Sequence, residues 1–297
     1  MGRIPGNKRL TDAAGNPLGS LSLVNRLEES EKESVYSRLL PERLLSLLSI
    51  DGKTLLDPRG ERLVNIIAPS GLSFARIEVR DTPKARDTTF FLELADTGYN
   101  QIELSFCIIS DPAAPRFDVD INENGECNWF ASAGRNRMEE LRAMKSGLFP
   151  NQTSKGLRLF SDFFPLFERF VDSMGIEMIT AEPLTYDNAI RYEKYGFDYL
   201  CGRRLMLRID REFRPGGSYF RKLDGSTPFR MPGMEKTVRG RSWAIHDGIL
   251  EEPWDDVRIY KIVGVDAGIN SFPDRVLEGV DAGSAGLREI LTQKNRP

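Results

Sequence analysis

Residues 156–204 constrain the fold of this chain more than any other part of the sequence. Over residues 157–174 the apolar side chains recur at steps of three and four, which places them on one face of a helix that ends at Gly175. Residues 176–181 alternate as a short strand, and a second helix is predicted over residues 186–195. A helix, a strand and a helix in this order predict a crossover between parallel strands.

Several short extended runs precede this module. Their residues are β-branched, aromatic or alternating in polarity, and turn residues separate them, as in an antiparallel meander. The predicted strands cover residues 63–67, 74–80, 88–95, 101–109 and 116–121. Together with the crossover, they predict an α+β fold with a mixed, mostly antiparallel sheet flanked by helices.

The chain divides into three regions. Residues 1–59 are an N-terminal arm, predicted to be loose up to about residue 27, followed by a helix over residues 28–50. Residues 60–212 hold the strands and the crossover. Residues 213–297 form an irregular extension, rich in glycine and proline, that we expect to pack on the core.

Further elements are predicted around and after the central module. Residues 135–146 have the spacing of an amphipathic helix. Residues 199–210 are predicted to form two short strands that turn at Gly202. In the extension, residues 243–246 and 257–263 are predicted to be strands.

Composition excludes several classes of function. The net charge of −3 supplies no basic field for nucleic acid, and no apolar run is long enough to span a membrane. The N-terminal residues lack the apolar core of a secretory signal. Cys107, Cys127 and Cys201 are scattered, so free thiols in a reducing cytoplasm are the prediction.

The sequence holds a single histidine, His246, which excludes a site built on several histidine ligands, and we expect no metal. It lies in a dense polar segment. Arg239 and Arg241 are candidates to bind an anionic substrate, and His246 beside Asp247 is a candidate for proton transfer. The alternative is a folded-back structural segment in which Asp247 or the backbone holds the histidine.

The second helix of the module ends in Tyr-Glu-Lys-Tyr-Gly-Phe at residues 192–197, after a meander, a helix and a strand. This order and this ending resemble the GNAT superfamily of N-acetyltransferases over roughly residues 60–212. The resemblance implies that a central strand splays from its parallel neighbour and that acyl-CoA lies in the wedge. It implies transfer of an acyl group from a thioester to a small-molecule amine, with Tyr192 as the acid that protonates the leaving thiolate.

The resemblance also implies a pyrophosphate loop, in which backbone amides at a helix start hold the phosphates. The family motif is Arg or Gln, two residues, Gly, one residue, then Gly or Ala. Here Gln152 fits, Lys155 and Leu157 occupy the small-residue positions, and Gly156 lies between them. Gln152, Lys155, Gly156 and Arg158 are the candidate cofactor-binding residues, and an acyl-carrier protein is the alternative donor to CoA.

The general base in that family is commonly a carboxylate on the strand before this loop, or a water molecule. Asp118 and Asp120 are the nearest carboxylates, and their alternation puts both on one face of the predicted strand 116–121. Asp120 is therefore the candidate base. The alternative is an ordinary solvated polar face.

Two functions remain open from the sequence. One is an acyltransferase-like protein that uses an acyl-CoA or an acyl-carrier protein. The other is a non-catalytic binding or scaffold protein with the same GNAT-like fold and an unknown ligand. Neither function involves nucleic acid or a membrane.

Overall fold

The computed structural model describes residues 4–128 and 134–273. The strands are β1 (Val64–Ile67), β2 (Phe74–Val79), β3 (Phe90–Asp96), β4 (Ile102–Ile109), β5 (Met178–Ala181), β6 (Asp198–Cys201) and β7 (Arg258–Ile262). The α-helices are α1 (Leu21–Val24), α2 (Glu29–Tyr36), α3 (Glu42–Leu47), α4 (Arg137–Lys145), α5 (Phe160–Met174), α6 (Tyr186–Glu193), α7 (Arg203–Glu212), α8 (Ser218–Arg221) and α9 (Val238–His246). In this part of the chain, no helix has both the length and the apolar character needed to cross a membrane.

The strands form one sheet in the order β1-β2-β3-β4-β5-β7-β6. Neighbours run antiparallel except β4 and β5, which are parallel and are connected through α5. This mixed sheet with flanking helices confirms the predicted α+β class. β7 comes from the predicted C-terminal extension but lies between β5 and β6, so residues far apart in sequence complete the sheet. Residues 274–297 of that extension lie outside the described part.

The meander of β1 to β4 has one buried face and one half-buried polar face. On β3, Phe90, Leu92 and Leu94 are buried, whereas Glu93 between them forms an ion pair with Arg76 at 2.8 Å. Alternation with a period of two therefore sorts apolar from polar side chains, as in a half-covered sheet. The predicted meander is confirmed.

Helix α5 covers the buried face of the sheet. Phe163, Phe167 and Val171 are buried along it, and the Phe163 ring packs edge-on against Phe90 with centroids 5.5 Å apart. Gly175 ends the helix at a φ of +81°, a conformation that glycine adopts at little cost. The predictions of this helix, of β5 and of α6 are confirmed.

The N-terminal arm packs onto this core rather than remaining loose. Leu10 and Leu18 are buried, and the Leu10 amide donates to the Ser173 carbonyl at 2.7 Å. The Asp96 carboxylate accepts a hydrogen bond from the Leu21 amide at 2.8 Å. The prediction of a loose arm was wrong because widely spaced apolar residues each find a place against α5 and β3 without forming a periodic pattern.

The residues after Gly202 form α7, not the second strand of the predicted turn. Gly202 has a φ of +91° and separates β6 from the helix. Met206, Ile209 and Phe213 are buried at steps of three and four. The prediction was wrong because this helical spacing buries the apolar side chains on one face, which a strand would not do.

The predicted strand around Trp243 is the C-terminal half of α9. The Trp243 ring is buried, and its Nε1 donates to the Leu148 carbonyl at 2.9 Å. Gly240 permits close packing, because a Cβ there would lie 2.3 Å from the Met234 carbonyl oxygen. Tertiary packing thus overrides the β-propensity of tryptophan and isoleucine, and the strand prediction was wrong.

Candidate active site

The candidate site begins where β4 continues beyond the end of β5. The two parallel strands pair at Ile102 opposite Ile179 and at the next residue of each, whereas β4 continues to Ile109. On its other side, β4 carries a bulge in which Ser105 has no partner residue on β3. A bulge bends its strand. Because β5 ends at Ala181, the second half of β4 has no β5 residues beside it, and we call this region the β4–β5 cleft.

Cys107 and Tyr192 meet in this cleft. Cys107 pairs with Leu92, so its thiol lies on the buried face of the sheet. Burial raises the pKa of that thiol to about 12. Burial also raises the pKa of Tyr192, and the proximity of Cys107 adds to this rise. Both groups therefore keep their protons at neutral pH.

Aromatic rings surround Tyr192. Its ring centroid lies 5.0 Å from that of Phe197 and 5.8 Å from that of Phe160. Phe160 in turn contacts Tyr195, with centroids 4.9 Å apart. Within residues 4–128 and 134–273, the Tyr192 hydroxyl has no hydrogen-bond partner. The fold therefore leaves the hydroxyl without a partner of its own.

The predicted pyrophosphate loop lies against the end of β4. A Cβ at Gly156 would lie 2.8 Å from the carbonyl oxygen of Ile109, so only glycine permits this approach. The Asp111 amide donates to the Lys155 carbonyl at 2.8 Å. The side-chain oxygen of Gln152 accepts a hydrogen bond from the nearby Phe149 amide at 3.0 Å.

Two cations lie at the start of α5. Lys155 and Arg158 are exposed, and no ion pair involves either of them in the described part of the chain. The N-cap residue Leu159 provides no side-chain hydrogen bond to the first turn of the helix. The first turn also holds Asp162, whose amide donates to the Leu159 carbonyl at 3.0 Å. Phosphate binding here would therefore depend on the two cations and on the amides before Asp162.

Asp118 and Asp120 belong to an arginine cluster and not to a strand. Residues 116–121 contribute only an isolated bridge at Ile121, so the predicted strand was wrong. Arg116 donates to Asp120 at 2.6 Å and to Asp87 at 2.7 Å, and it also binds Asp118. These ion pairs satisfy the alternating carboxylates without a neighbouring strand.

This cluster lies beside the predicted pyrophosphate loop. The Phe117 amide donates to the Thr153 carbonyl at 2.7 Å. Asp120 keeps one buried oxygen, Oδ1, without a partner among the described residues. Its other oxygen, Oδ2, accepts a hydrogen bond from Arg116. The contacts of Asp120 are with arginines and not with Tyr192.

His246 belongs to a second buried cluster. Its Nε2 lies 2.9 Å from Glu140 Oε1 on α4, and Arg135 donates to the same carboxylate at 2.5 Å. Arg135 also reaches Asp247 at 3.1 Å. Burial alone would raise the pKa of Glu140, but the hydrogen bonds with His246 and Arg135 outweigh it and hold that pKa below its usual value. We call these four residues, with their partners, the Glu140 network.

Arg239 and Arg241 are engaged within the fold. Arg241 is buried, and it donates to Asp210 at 3.0 Å and to the Glu235 carbonyl at 2.7 Å. Arg239 donates to the Gly147 carbonyl at 3.2 Å. These contacts tie α9 to α7 and to the end of α4. Their role in substrate binding stays a prediction, and so does proton transfer by His246.

Sequence reasoning missed two residues of the cleft, Cys107 and Arg191. Cys107 stands in an apolar run, so the sequence alone indicates only a free thiol. Arg191 follows Asp187 by four residues on α6 and directly precedes Tyr192. That spacing was visible in the sequence, but its meaning depends on how α6 packs against β4.

The cleft combines a protonated tyrosine, the part of β4 beyond β5 and a nearby helix start, where two cations form no ion pair within residues 4–128 and 134–273. Comparisons of the chain with family models, curated proteins and solved structures found no match. Function is therefore inferred from the geometry and chemistry of the cleft itself.

Proposed function

We propose that this protein is a GNAT-type N-acyltransferase, which moves an acyl group from a thioester to an amine. The β4–β5 cleft carries the proposal, because β4 extends there beyond its parallel neighbour β5 and its Cys107 lies near the hydroxyl of Tyr192. The strand order supports it, since the resemblance implies a splayed parallel pair inside an otherwise antiparallel sheet.

In the proposed reaction, the amine nitrogen attacks the carbonyl carbon of the thioester and forms the new C–N bond. Backbone N–H groups of β4 beyond its pairing with β5 stabilise the oxyanion. The C–S bond then breaks, and the leaving thiolate takes the hydroxyl proton of Tyr192. The amine loses its proton to water or to Asp120, and Tyr192 is reprotonated from solvent.

The start of α5 fits the phosphate groups of the donor. Lys155 and Arg158 offer charge there, and the first amides of the helix offer hydrogen bonds. The side chain of Lys155 is exposed, so it does not fill the cleft. Acyl-CoA is the first donor to test, and an acyl-carrier protein, whose prosthetic arm carries the same thioester, is the alternative.

Replacement of the tyrosine tests the chemistry. Tyr192→Phe keeps the ring and removes the proton donor, so we expect kcat to fall about a hundredfold with little change in KM. Tyr99→Phe is the matched control, because Tyr99 is 85% exposed. The rate of thiol release from acetyl-CoA and from longer acyl-CoAs, with a panel of amines, gives kcat and KM for both variants. Full activity in Tyr192→Phe would remove Tyr192 from the mechanism.

One observation favours the non-catalytic alternative. Phe160, the first residue of α5, packs against both Tyr192 and Tyr195 and narrows the cleft. If these aromatic rings fill the cleft, the protein would have the fold of the family but would not catalyse acyl transfer. Calorimetry separates the two functions. If wild-type protein binds no acyl thioester and the Phe160→Ala variant does, the ring of Phe160 blocks the cleft. That result would favour a scaffold.

A further inference from the structure

Arg191 brings to the β4–β5 cleft a positive charge that is weakly compensated. Its Nη2 lies 3.8 Å from Oδ2 of Asp187, which is too long for a hydrogen bond, and its side chain is 41% exposed. Among the residues that the structure describes, its guanidinium has no hydrogen-bond partner. Arg135, by contrast, donates to Glu140 at 2.5 Å.

Asp187 is a poor counterion for this arginine. The residue is only 5% exposed, and its Oδ1 has no hydrogen-bond partner among the described residues. Burial raises the pKa of its carboxyl, although Arg191 opposes the shift. At 3.8 Å, this carboxyl also makes no hydrogen bond with the guanidinium, so the ion pair leaves the N–H donors of Arg191 unused. Arg191 therefore retains affinity for a second anion.

The position of Arg191 connects this charge with the reacting groups. It precedes Tyr192 on α6, and it stands one helical turn before Tyr195, whose ring packs against α5. Its charge opposes the effect of burial on the pKa of Cys107, of Tyr192 and of Tyr195. An anion bound by Arg191 would thus lie beside the place where the thioester reacts.

We propose that Arg191 binds a carboxylate of the acceptor, so that the acylated amine belongs to an amino acid or a similar molecule with both groups. A guanidinium offers two parallel N–H donors to a carboxylate, which fixes the orientation of the acceptor as well as its affinity. The donor phosphates have their own cations, Lys155 and Arg158, at the start of α5. Arg191 is therefore left for the acceptor. This inference rests on the proposed acyl transfer.

Matched acceptor pairs test the inference. Each pair is an amino acid and the amine that lacks its carboxylate, such as L-phenylalanine with phenethylamine and L-lysine with cadaverine. Wild-type protein should prefer the amino acid by about tenfold or more in kcat/KM, as expected for a hydrogen bond to a charged group. Arg191→Met should abolish the preference, and Arg191→Lys should keep part of it. The control is Arg204→Met, an exposed arginine on α7.

Several results would overturn the inference. Equal rates for both members of each pair would do so, as would a loss in Arg191→Met that is the same for amino acids and amines. Dependence on Arg191 only with a dicarboxylic acyl donor, such as succinyl-CoA, would move the carboxylate from the acceptor to the acyl group and contradict the assignment. Far-ultraviolet circular dichroism of each variant verifies that the fold is intact.

A binding measurement separates this inference from the proposed function. N-acetyl-L-phenylalanine and N-acetylphenethylamine, products with and without the carboxylate, are titrated into wild-type protein and Arg191→Met. Carboxylate-dependent binding that needs Arg191, without any acyl transfer, would support the anion site and refute the transferase. Acyl transfer without such binding, and without preference between acceptors, would refute the anion site alone.

Discussion

The β4–β5 cleft and the Glu140 network differ in how far their polar side chains are hydrogen-bonded. In the network, Glu140 bonds with Arg135 and His246, and Asp247 accepts hydrogen bonds from Arg230 at 2.9 Å. In the cleft, among the described residues, the Tyr192 hydroxyl and the Arg191 guanidinium have no hydrogen-bond partner.

The contrast extends to acidity. Partners hold the pKa of Glu140 below its usual value, whereas burial holds that of Asp187 above it. Matched charges stabilise a fold, and unmatched buried groups are typical of sites that meet a ligand. The single histidine, His246, thus lies in the Glu140 network and not in the cleft.

Breaking the Glu140 network should have the largest effect on stability. Glu140→Gln removes the negative charge between Arg135 and His246, and we expect a loss of about 3 kcal/mol in the free energy of unfolding at pH 7. Because the folded-state pKa of Glu140 is lowered, its ionised form stabilises the fold above its usual pKa. This stabilisation is lost as the pH falls through the folded-state pKa, so the difference from wild type should shrink in acid.

Urea unfolding at several pH values measures this effect, with Glu123→Gln, an exposed glutamate, as the control. The activity per folded molecule should remain near that of the wild type. A fall in kcat as deep as that in Tyr192→Phe would place the network in catalysis and erase the contrast between the two regions.

Crowding the end of β4 should have an intermediate effect. A Cβ at Gly156 would meet the Ile109 carbonyl oxygen at 2.8 Å, and overpacking of this kind costs about 1–3 kcal/mol. Gly156→Ala should therefore be less stable than wild type and should bind the donor more weakly. Gly98→Ala is the matched control, because nothing lies within 4 Å of a Cβ there. Equal stability and donor affinity in the two variants would contradict the close approach.

Neutralising Asp187 should have the smallest effect, and in the opposite direction. Its folded-state pKa is raised, so its ionisation opposes folding as the pH rises above its usual value. Asp187→Asn should leave stability unchanged or raise it by about 1 kcal/mol at pH 7, and the difference should vanish in acid. The same urea series measures it. A loss as large as that in Glu140→Gln would mean that Asp187 is a matched charge.

Local patterns predicted the elements that frame the cleft. The spacing of α5, the glycine after it and the alternation of β5 are visible in the sequence because each depends on neighbouring residues. Interpretation failed for α7 and α9. In α9, Trp243 and Ile245 favour strands locally, but Trp243 packs in the core against Leu148 as part of a helix that Thr237 caps.

The chemistry of the cleft was only partly visible. The tyrosine came from a short motif at the end of α6. The meeting of Cys107, Arg191 and Tyr192 depends on a bulge in β4 and on the contact of two elements distant in sequence. Likewise, the insertion of β7 between β5 and β6 joins residues from the extension to the crossover. Such long-range pairing leaves no local signature.

Hydrogen–deuterium exchange with and without donor tests the acyl-donor cleft most directly. Acetyl-CoA, a longer acyl-CoA and an acylated carrier protein are each added to the full chain. We predict slower exchange in residues 104–109 of β4, where β5 no longer pairs, and in the first turn of α5, with no change in α4 or α9. Unchanged exchange with all three donors, or protection confined to the Glu140 network, would contradict the assignment of the β4–β5 cleft as the acyl-donor site.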